Sequence, residues 1–174
     1  MTTELSHPER ERYASQIEGE LGLQGQIRLK QARVIVIGAG AAGSAAATEL
    51  ASRGVGYVAV VDGGSVTLGD LSGQAIYYTP DVGQSKADTI AGKLGLLNPE
   101  VQVDSYPVGL DAANAAAIVA GHDVVLDCTH DANVAEAVDA SGASVLRLAD
   151  GITGAALATD AIGLLAGSVV EAHR

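Results

Sequence analysis

Short runs of apolar, mostly β-branched residues recur along this chain, separated by longer amphipathic stretches. Such runs are typical of strands that are buried on both faces of a sheet. The run RVIVI at 33–37, closed by Gly38, is the clearest example. The pattern predicts five strands, at 33–37, 57–62, 101–106, 124–127 and 144–148.

The stretches between the strands have helical patterns. Ser6 before Pro8 predicts a helix start, so residues 7–30 are expected to be helical, with interruptions at Gly22 and Gly25. Further helices are predicted at 44–53, 84–97, 111–121, 133–140 and 157–172, with an irregular stretch at 63–83 and a turn at 150–154.

The alternation of strands and helices favours a parallel sheet that is covered on both faces. We therefore predict a Rossmann-like, doubly wound α/β fold with a mainly parallel sheet. The chain length fits one domain. Within it, we expect residues 1–30 to form an N-terminal helical segment and residues 31–174 to form the Rossmann-like unit.

Composition narrows the class of protein. Apolar residues make up 48% of the chain, but there is no Phe or Trp, so small aliphatic side chains must fill the core. A net charge of −11 argues against a nucleic-acid partner. No apolar stretch is long enough to span a membrane, and the charged start MTTELSHPERERY does not resemble a signal peptide. We therefore expect a cytoplasmic protein.

Cys128 is the single cysteine of the sequence, which excludes an internal disulfide and a four-cysteine zinc site. It closes an apolar strand, so we expect a small buried core residue there. His122 and His130 flank the same strand, so they are not expected to share a metal ion. We expect Tyr77 and Tyr78 to pack a loop or an interface, with adenine stacking as the alternative.

The sequence GAGAAG at 38–43 follows a predicted strand and opens a helix, which is the context of a dinucleotide-type phosphate loop. Gly38 would permit the tight turn, Gly40 would let a phosphate approach the backbone, and Gly43 would let the helix pack closely on the sheet. The helix N-terminus beyond Ala41 would offer free amides to an anion. The alternative is a tight strand–helix turn with no ligand.

Asp62 ends the next predicted strand, about 20 residues after the glycine loop, where a carboxylate can bind ribose hydroxyls. It also argues against a 2′-phosphate, because the two anions would repel. Loop and acid together do not separate NAD from ATP, so an NAD-dependent oxidoreductase remains an alternative at this point, although no Tyr-x-x-x-Lys or equivalent hydride-handling set is found.

A wider set of motifs resembles the ThiF/MoeB/HesA family, the bacterial relatives of ubiquitin-activating enzymes. The resemblance covers about residues 12–131, and the helix around 162–168 also resembles the family's last core helix. The motifs, in chain order, are Arg12-Tyr13 with Gln16-Ile17, Gly25-Gln26 and Leu29, the 38–43 loop, Gly54-Val55-Gly56, Val61-Asp62, Leu71, Gln74, Val82-Gly83-Gln84 with Lys86, Leu97-Asn98-Pro99, and Asp123 to Thr129.

The resemblance implies an ATP- and Mg²⁺-dependent enzyme that adenylates the C-terminal carboxylate of a small ubiquitin-like carrier protein or peptide. It implies that the loop glycines cradle phosphates and that Asp62 holds the ribose. It also implies that Lys86 meets phosphate oxygens, and that Gln74 lines the same pocket. Such chemistry depends on positioning and charge neutralisation more than on acid–base groups.

This sequence departs from the family pattern at the positions that handle phosphate. Asp70 replaces an Asn, Gly73 and Ser15 each replace an Arg, and His130 replaces a magnesium-binding Asp. Gly64 stands where a second acid is expected. An arginine that neutralises phosphoryl charge contributes about 10³–10⁵ in rate in other nucleotide enzymes, so we expect ordinary adenylation to be crippled.

The departures leave Lys86, Asp131 and Arg12 as candidates for residual catalysis, with Arg12 standing in for Ser15. Asp127 or Asp131 could hold a metal ion after a small shift. His130 could contact phosphate beside Asp62 and Lys86, or could simply lie at the rim of the strand.

Past residue 148 the chain lacks the further strands, paired CxxC motifs and catalytic cysteine of the family, so we expect an abbreviated C-terminal half and no zinc. The sequence favours a catalytically degenerate homologue that binds a nucleotide. It would act as a homodimer, or in a heterodimer with a related active subunit. The alternative is an active adenylyltransferase.

Overall fold

The computed structural model describes residues 4–149 and 152–167. Five strands alternate with helices from β1 onward, after three short helices at the N-terminus. The elements are α1 (His7–Arg12), α2 (Ala14–Glu18), α3 (Gly22–Gln31), β1 (Arg33–Ile37), α4 (Ala41–Ser52), β2 (Tyr57–Val61), α5 (Lys86–Leu97), β3 (Gln102–Tyr106), α6 (Ala115–Val119), β4 (Val124–Asp127), α7 (Ala132–Ala140), β5 (Val145–Arg147) and α8 (Gly154–Ala166).

The five strands form one parallel sheet in the order β3-β2-β1-β4-β5. The order reverses between β1 and β4, as in a doubly wound nucleotide-binding fold. β1, β2 and β4 are almost entirely buried, which explains their continuous Val- and Ile-rich sequences. The predicted Rossmann-like α/β fold is therefore confirmed, and its sheet is wholly parallel.

Helices cover both faces of the sheet, as predicted. One core cluster lies under α3, α4, α5 and α8, and a second lies under α6 and α7. Gly154 lets α8 approach α4 closely, because a Cβ atom there would lie 1.7 Å from the carbonyl oxygen of Ala42. Among the helices in the described part of the chain, none is both long and apolar enough to cross a bilayer.

The N-terminal helices begin where the sequence predicts and break elsewhere. Ser6 caps α1 in a reciprocal capping box with Glu9. The interruption predicted at Gly25 is wrong, since Gly25 lies within α3, where a Cβ atom would be 3.5 Å from that of Ala166. The actual breaks fall at Tyr13 and just before Gly22.

Three other boundaries differ from the predictions. α4 begins at Ala41, so the end of the glycine loop is already helical, and α6 covers only five residues because the Asp111 side chain ties 111–114 into a turn. α8 begins at Gly154 and ends at Ala166, and Gly167, with φ +71°, is its C-cap. Residues 150–151 of the predicted turn and 168–172 of the predicted last helix lie outside the described residues. The division at residue 30 stays a prediction.

Candidate functional site

The glycine loop turns the chain sharply from β1 into α4. Gly38 has φ +90°, and its amide donates to the carbonyl of Val61. A Cβ atom on Gly43 would lie 1.7 Å from the Gly38 carbonyl oxygen, so only glycine allows the helix to start here. A Cβ atom on Gly40 would have nothing within 4 Å. Gly43 therefore serves packing, whereas Gly40 leaves space in front of the helix N-terminus.

The loop that follows β4 packs against the glycine loop. A Cβ atom on Gly38 would lie 3.0 Å from Cγ2 of Thr129 and 3.4 Å from the backbone of Cys128. Both loops thus lie at the carboxyl edge of the sheet, where the strand order reverses. We call the space in front of the two loops the crevice. Doubly wound proteins bind ligands at this position.

Asp62 follows β2 and bonds to two loops. Its Oδ2 accepts from the Ala39 amide at 2.7 Å, and its Oδ1 accepts from the Gly64 amide at 2.7 Å. An ionised carboxylate has about four acceptor sites, so two amides leave capacity for ligand hydroxyls. The geometry gives Asp62 a structural role in addition to the ribose role that the sequence predicts.

Lys86 lies beside Asp62. It is the first residue of α5, and its amide donates to the carbonyl of Gly64 at 3.0 Å. A Cβ atom on Gly64 would lie 3.0 Å from Oδ1 of Asp62 and 3.9 Å from Cδ of Lys86. The structure therefore brings together the predicted ribose and phosphate ligands.

Asp70 forms an ion pair with the ammonium group of Lys86. Nζ of Lys86 lies 2.7 Å from Oδ1 of Asp70, and the two side chains are only 17% and 12% exposed. The bond from Lys86 holds the pKa of Asp70 well below its ordinary value, helped by Thr67 and Gln74 and opposed by burial. The sequence predicts added negative charge here, but not this pairing.

Tyr77 packs against the glycine loop, as predicted, although the sequence does not identify the contact that it makes there. Its hydroxyl donates to the carbonyl of Ala39 at 2.8 Å, and the side chain is buried. Burial raises the pKa of Tyr77, and the nearby Asp62 and Asp70 carboxylates add to the effect. Tyr78, in contrast, is exposed and lies under the ammonium of Lys93.

The carboxylates predicted as metal candidates are committed to other bonds. Oδ1 of Asp127 accepts from the amide and hydroxyl of Thr129, and its Oδ2 faces Arg147 at 3.6 Å. Asp131 caps α7 by accepting from the Asn133 amide. Residues 4–149 and 152–167 contain no group of three or more His, Cys, Asp or Glu side chains that could hold a metal ion. The donor set thus does not fit a protein-built magnesium site.

His130 and Arg12 lie in different parts of the structure. His130 is exposed at the rim of the crevice with φ +55°, a conformation that non-glycine residues seldom adopt. Arg12 donates to the carbonyl of Leu97, at the far end of α5 from Lys86. With a rise of 1.5 Å per residue, these helix ends are about 17 Å apart, so Arg12 does not join Lys86 within this chain.

Cys128 is half-buried and packs against the core, so it is less buried than the sequence predicts. Burial, with a contribution from Asp127, raises the pKa of the Cys128 thiol to about 12. Burial also lowers the pKa of His122, which packs against Tyr57. His122 and His130 lie at opposite ends of β4, as the sequence predicts.

A cavity of about 700 Å³ lies beside the crevice, in a groove between α4, residues 73–78 and the end of α5. We call it the α4–α5 groove. Ala41 and Gln74 line it, together with the exposed Leu96 and Leu97. Oε1 of Gln74 is buried without a hydrogen-bond partner in the described structure, while its amide nitrogen donates to Asp70.

A parallel sheet of this order, with a glycine loop at its reversal and an acid after β2, defines a Rossmann-type α/β unit. The chain belongs to the ThiF family, whose model matches residues 13–168. The resemblance inferred from the sequence motifs is therefore confirmed.

Two curated relatives illustrate the match. The chain is 42% identical over 128 residues to the adenylyltransferase and sulfurtransferase UBA4 of Candida glabrata, covering 72% of this chain and 30% of that protein. It is 36% identical over 156 residues to the adenylyltransferase and sulfurtransferase MOCS3 of Anopheles gambiae, covering 89% of this chain and 35% of that protein. The chain spans about a third of the length of these relatives.

A solved structure shares the fold. The E. coli tRNA N6-threonylcarbamoyladenosine dehydratase TcdA, in complex with AMP, matches with a TM-score of 0.77 and 24% identity, over 82% of this chain and 60% of that chain.

Proposed function

We propose that this ThiF-family chain binds an adenine nucleotide in the crevice in front of the glycine loop, beside Asp62. We propose further that the chain does not perform ordinary adenylation and acts through a partner. The pairing of Lys86 with Asp70 carries the proposal, because it neutralises the lysine that the resemblance assigns to phosphate. Nucleotide binding is supported by the open space at Gly40 and by the spare acceptor capacity of Asp62.

The loss of adenylation is supported by the residues that surround the crevice. Gly73 and Ser15 supply no cation where the family pattern has arginine, and His130 replaces a hard-metal ligand with an imidazole that Mg²⁺ disfavours. Each lost arginine is worth about 10³–10⁵ in rate in other nucleotide enzymes. Binding requires less charge neutralisation than catalysis, so a bound nucleotide is compatible with these changes.

A partner is supported by the α4–α5 groove. Leu96 is 86% exposed and Tyr78 is 61% exposed at its border, and contiguous apolar surface of this kind is typical of interaction sites. We expect a second copy of this chain or a related active subunit. Size-exclusion chromatography with light scattering tests the homodimer, and a monomer at micromolar concentration would contradict it.

An active adenylyltransferase is the second candidate. The 42% identity to a protein named as an adenylyltransferase favours it, with a small ubiquitin-like carrier or a peptide C-terminus as the acceptor. ATP–pyrophosphate exchange in the presence of Mg²⁺ and candidate carriers separates the two proposals. Carrier-dependent exchange would overturn the proposal that the chain has lost adenylation activity. No exchange with several carriers would weigh against an active adenylyltransferase.

Nucleotide binding is tested by calorimetry with AMP, ATP and NAD. The ribose role of Asp62 is tested by a cycle that compares AMP with its 2′,3′-dideoxy analogue on the wild type and on Asp62→Ala. If the carboxylate of Asp62 binds the ribose, the substitution lowers the affinity for AMP but scarcely changes the affinity for the analogue. An equal loss for both ligands would assign Asp62 a structural role alone. Stronger binding of NAD than of either adenine nucleotide would overturn the proposal.

A further inference from the structure

Asp70 is held in place by four hydrogen bonds. Oδ2 accepts from the amide and the hydroxyl of Thr67, at 2.8 and 2.7 Å. Oδ1 accepts from Nε2 of Gln74 at 2.9 Å and from Nζ of Lys86 at 2.7 Å. To bind the ammonium group of Lys86, a phosphate group would have to displace the carboxylate of Asp70. Three other donors hold that carboxylate in place.

The ion pair lies against the candidate nucleotide site. The stem of Lys86 passes within reach of Gly64, next to Asp62. The hydroxyl of Tyr77, which supports the glycine loop, is close enough to Asp62 and Asp70 for both carboxylates to raise its pKa. The local balance is therefore two carboxylates to one ammonium, and the site carries a net negative charge before any ligand arrives.

Other cations do not compensate for this charge. Within the described ranges, every lysine and arginine contacts a carboxylate or a carbonyl of its own chain. Lys93 pairs with Asp81. Arg147 lies at the same edge of the sheet as the crevice, but it bonds to Asp139 at 2.7 Å and faces Asp127.

We infer that the Asp70–Lys86 ion pair sets the charge preference of the site, so that it takes an adenine nucleotide with one phosphate, such as AMP, in preference to ATP. The inference rests on the proposed nucleotide binding. Each further phosphate adds negative charge beside Asp70 and finds its natural cation already paired. Because the pair is largely shielded from solvent, salt screens this repulsion less than it would at a surface.

Calorimetry at fixed ionic strength, with AMP, ADP and ATP in the absence of Mg²⁺, tests the inference. The wild type should bind AMP at least about tenfold more tightly than ATP. Asp70→Asn keeps the shape of the side chain but removes the ion pair from the ammonium group of Lys86. The AMP-to-ATP affinity ratio should therefore fall at least about tenfold, mainly because ATP binds more tightly. Asp70→Asn combined with Lys86→Met should lose the gain in ATP affinity, because the gain depends on the freed lysine.

Glu9→Gln is the matched control. It removes one carboxylate from another shielded ion pair, Glu9 with Lys30 at 2.7 Å, in the N-terminal helices. It should leave the AMP-to-ATP ratio unchanged, which excludes an effect of net charge alone. Melting temperatures of all variants check that each protein is folded.

The outcomes separate this inference from the proposed function. Equal affinity of the wild type for AMP and ATP, with no effect of Asp70→Asn, would overturn the charge preference and leave nucleotide binding intact. If the wild type and the variants, all folded, bound none of the three nucleotides, the proposed function itself would fail together with the inference.

Discussion

Gly43 and Gly40 offer a paired test of the glycine loop, because the structure assigns them different roles. A Cβ atom on Gly43 would lie 1.7 Å from the Gly38 carbonyl oxygen, whereas real Cβ atoms stay beyond 3.0 Å. The junction of β1 and α4 would have to open by about 1.3 Å. Since both contacting groups are backbone, we expect Gly43→Ala to cost about 3 kcal/mol of unfolding free energy. For a chain of this length the melting temperature would fall by about 6–12 °C.

Gly40→Ala is the control. The new methyl group would meet nothing within 4 Å, and Gly40 has an extended backbone with φ −76°. The poorer helix cap and the restricted unfolded chain offset each other, so stability should change by less than about 1 kcal/mol. The methyl group would nevertheless occupy the approach to the helix N-terminus, and AMP affinity should fall about tenfold.

Urea unfolding without ligand, followed by AMP calorimetry on both variants, completes the test. If the free energy of unfolding of Gly43→Ala lay within about 1 kcal/mol of the wild-type value, the close packing at Gly43 would be refuted. If Gly40→Ala bound AMP as well as the wild type does, Gly40 would not border the phosphate site.

Three further predictions follow from individual side chains. Tyr77→Phe removes the bond to Ala39 and leaves that carbonyl buried, so the urea midpoint should correspond to a loss of about 1–2 kcal/mol; an unchanged midpoint would contradict the support of the loop. The pKa of Asp70 is lowered by Lys86, so its contribution to stability is complete at neutral pH and is lost as the pH falls below about 4; Asp70→Asn should therefore lose less stability than the wild type between pH 7 and pH 3, and equal losses would contradict the pairing. Burial raises the pKa of Cys128 to about 12, so iodoacetamide at pH 8 should label the unfolded chain but not the folded one, and rapid labelling of the folded protein would show an accessible thiolate.

The sheet was predictable because its strands satisfy a local rule. Residues 33–37 are β-branched and end at a glycine, and burial on both faces requires such a sequence. The tight turn of the glycine loop and the position of Asp62 after β2 were predictable for the same reason, since each follows from neighbours in the chain; their roles in binding a ligand stay predictions. The interruption predicted at Gly25 was wrong because glycine lowers helix propensity, whereas packing against Ala166 of α8 accompanies an unbroken α3 at this position.

The remaining parts of the site depend on contacts between distant residues. Asp70 and Lys86 are 16 residues apart, and Tyr77 and Ala39 are 38 apart. No periodicity or motif marks such pairs, because only the path of the 63–83 stretch across the sheet edge brings them together. The resemblance to the family implies an added charge at residue 70, but the partner of that charge, Lys86, is identified only by the structure.

The two amides bonded to Asp62 have a consequence for how such chains evolve. Replacing the acid would remove the acceptor of the Ala39 and Gly64 amides. Ala39 is fully buried, so its unsatisfied amide would cost about 1–3 kcal/mol, whereas Gly64 is exposed and water can take the place of the carboxylate. Folding alone would therefore select for an aspartate at this position. If Asp62 also binds a nucleotide, a lineage that lost this ligand would still retain the aspartate, because the fold depends on its bond to the loop.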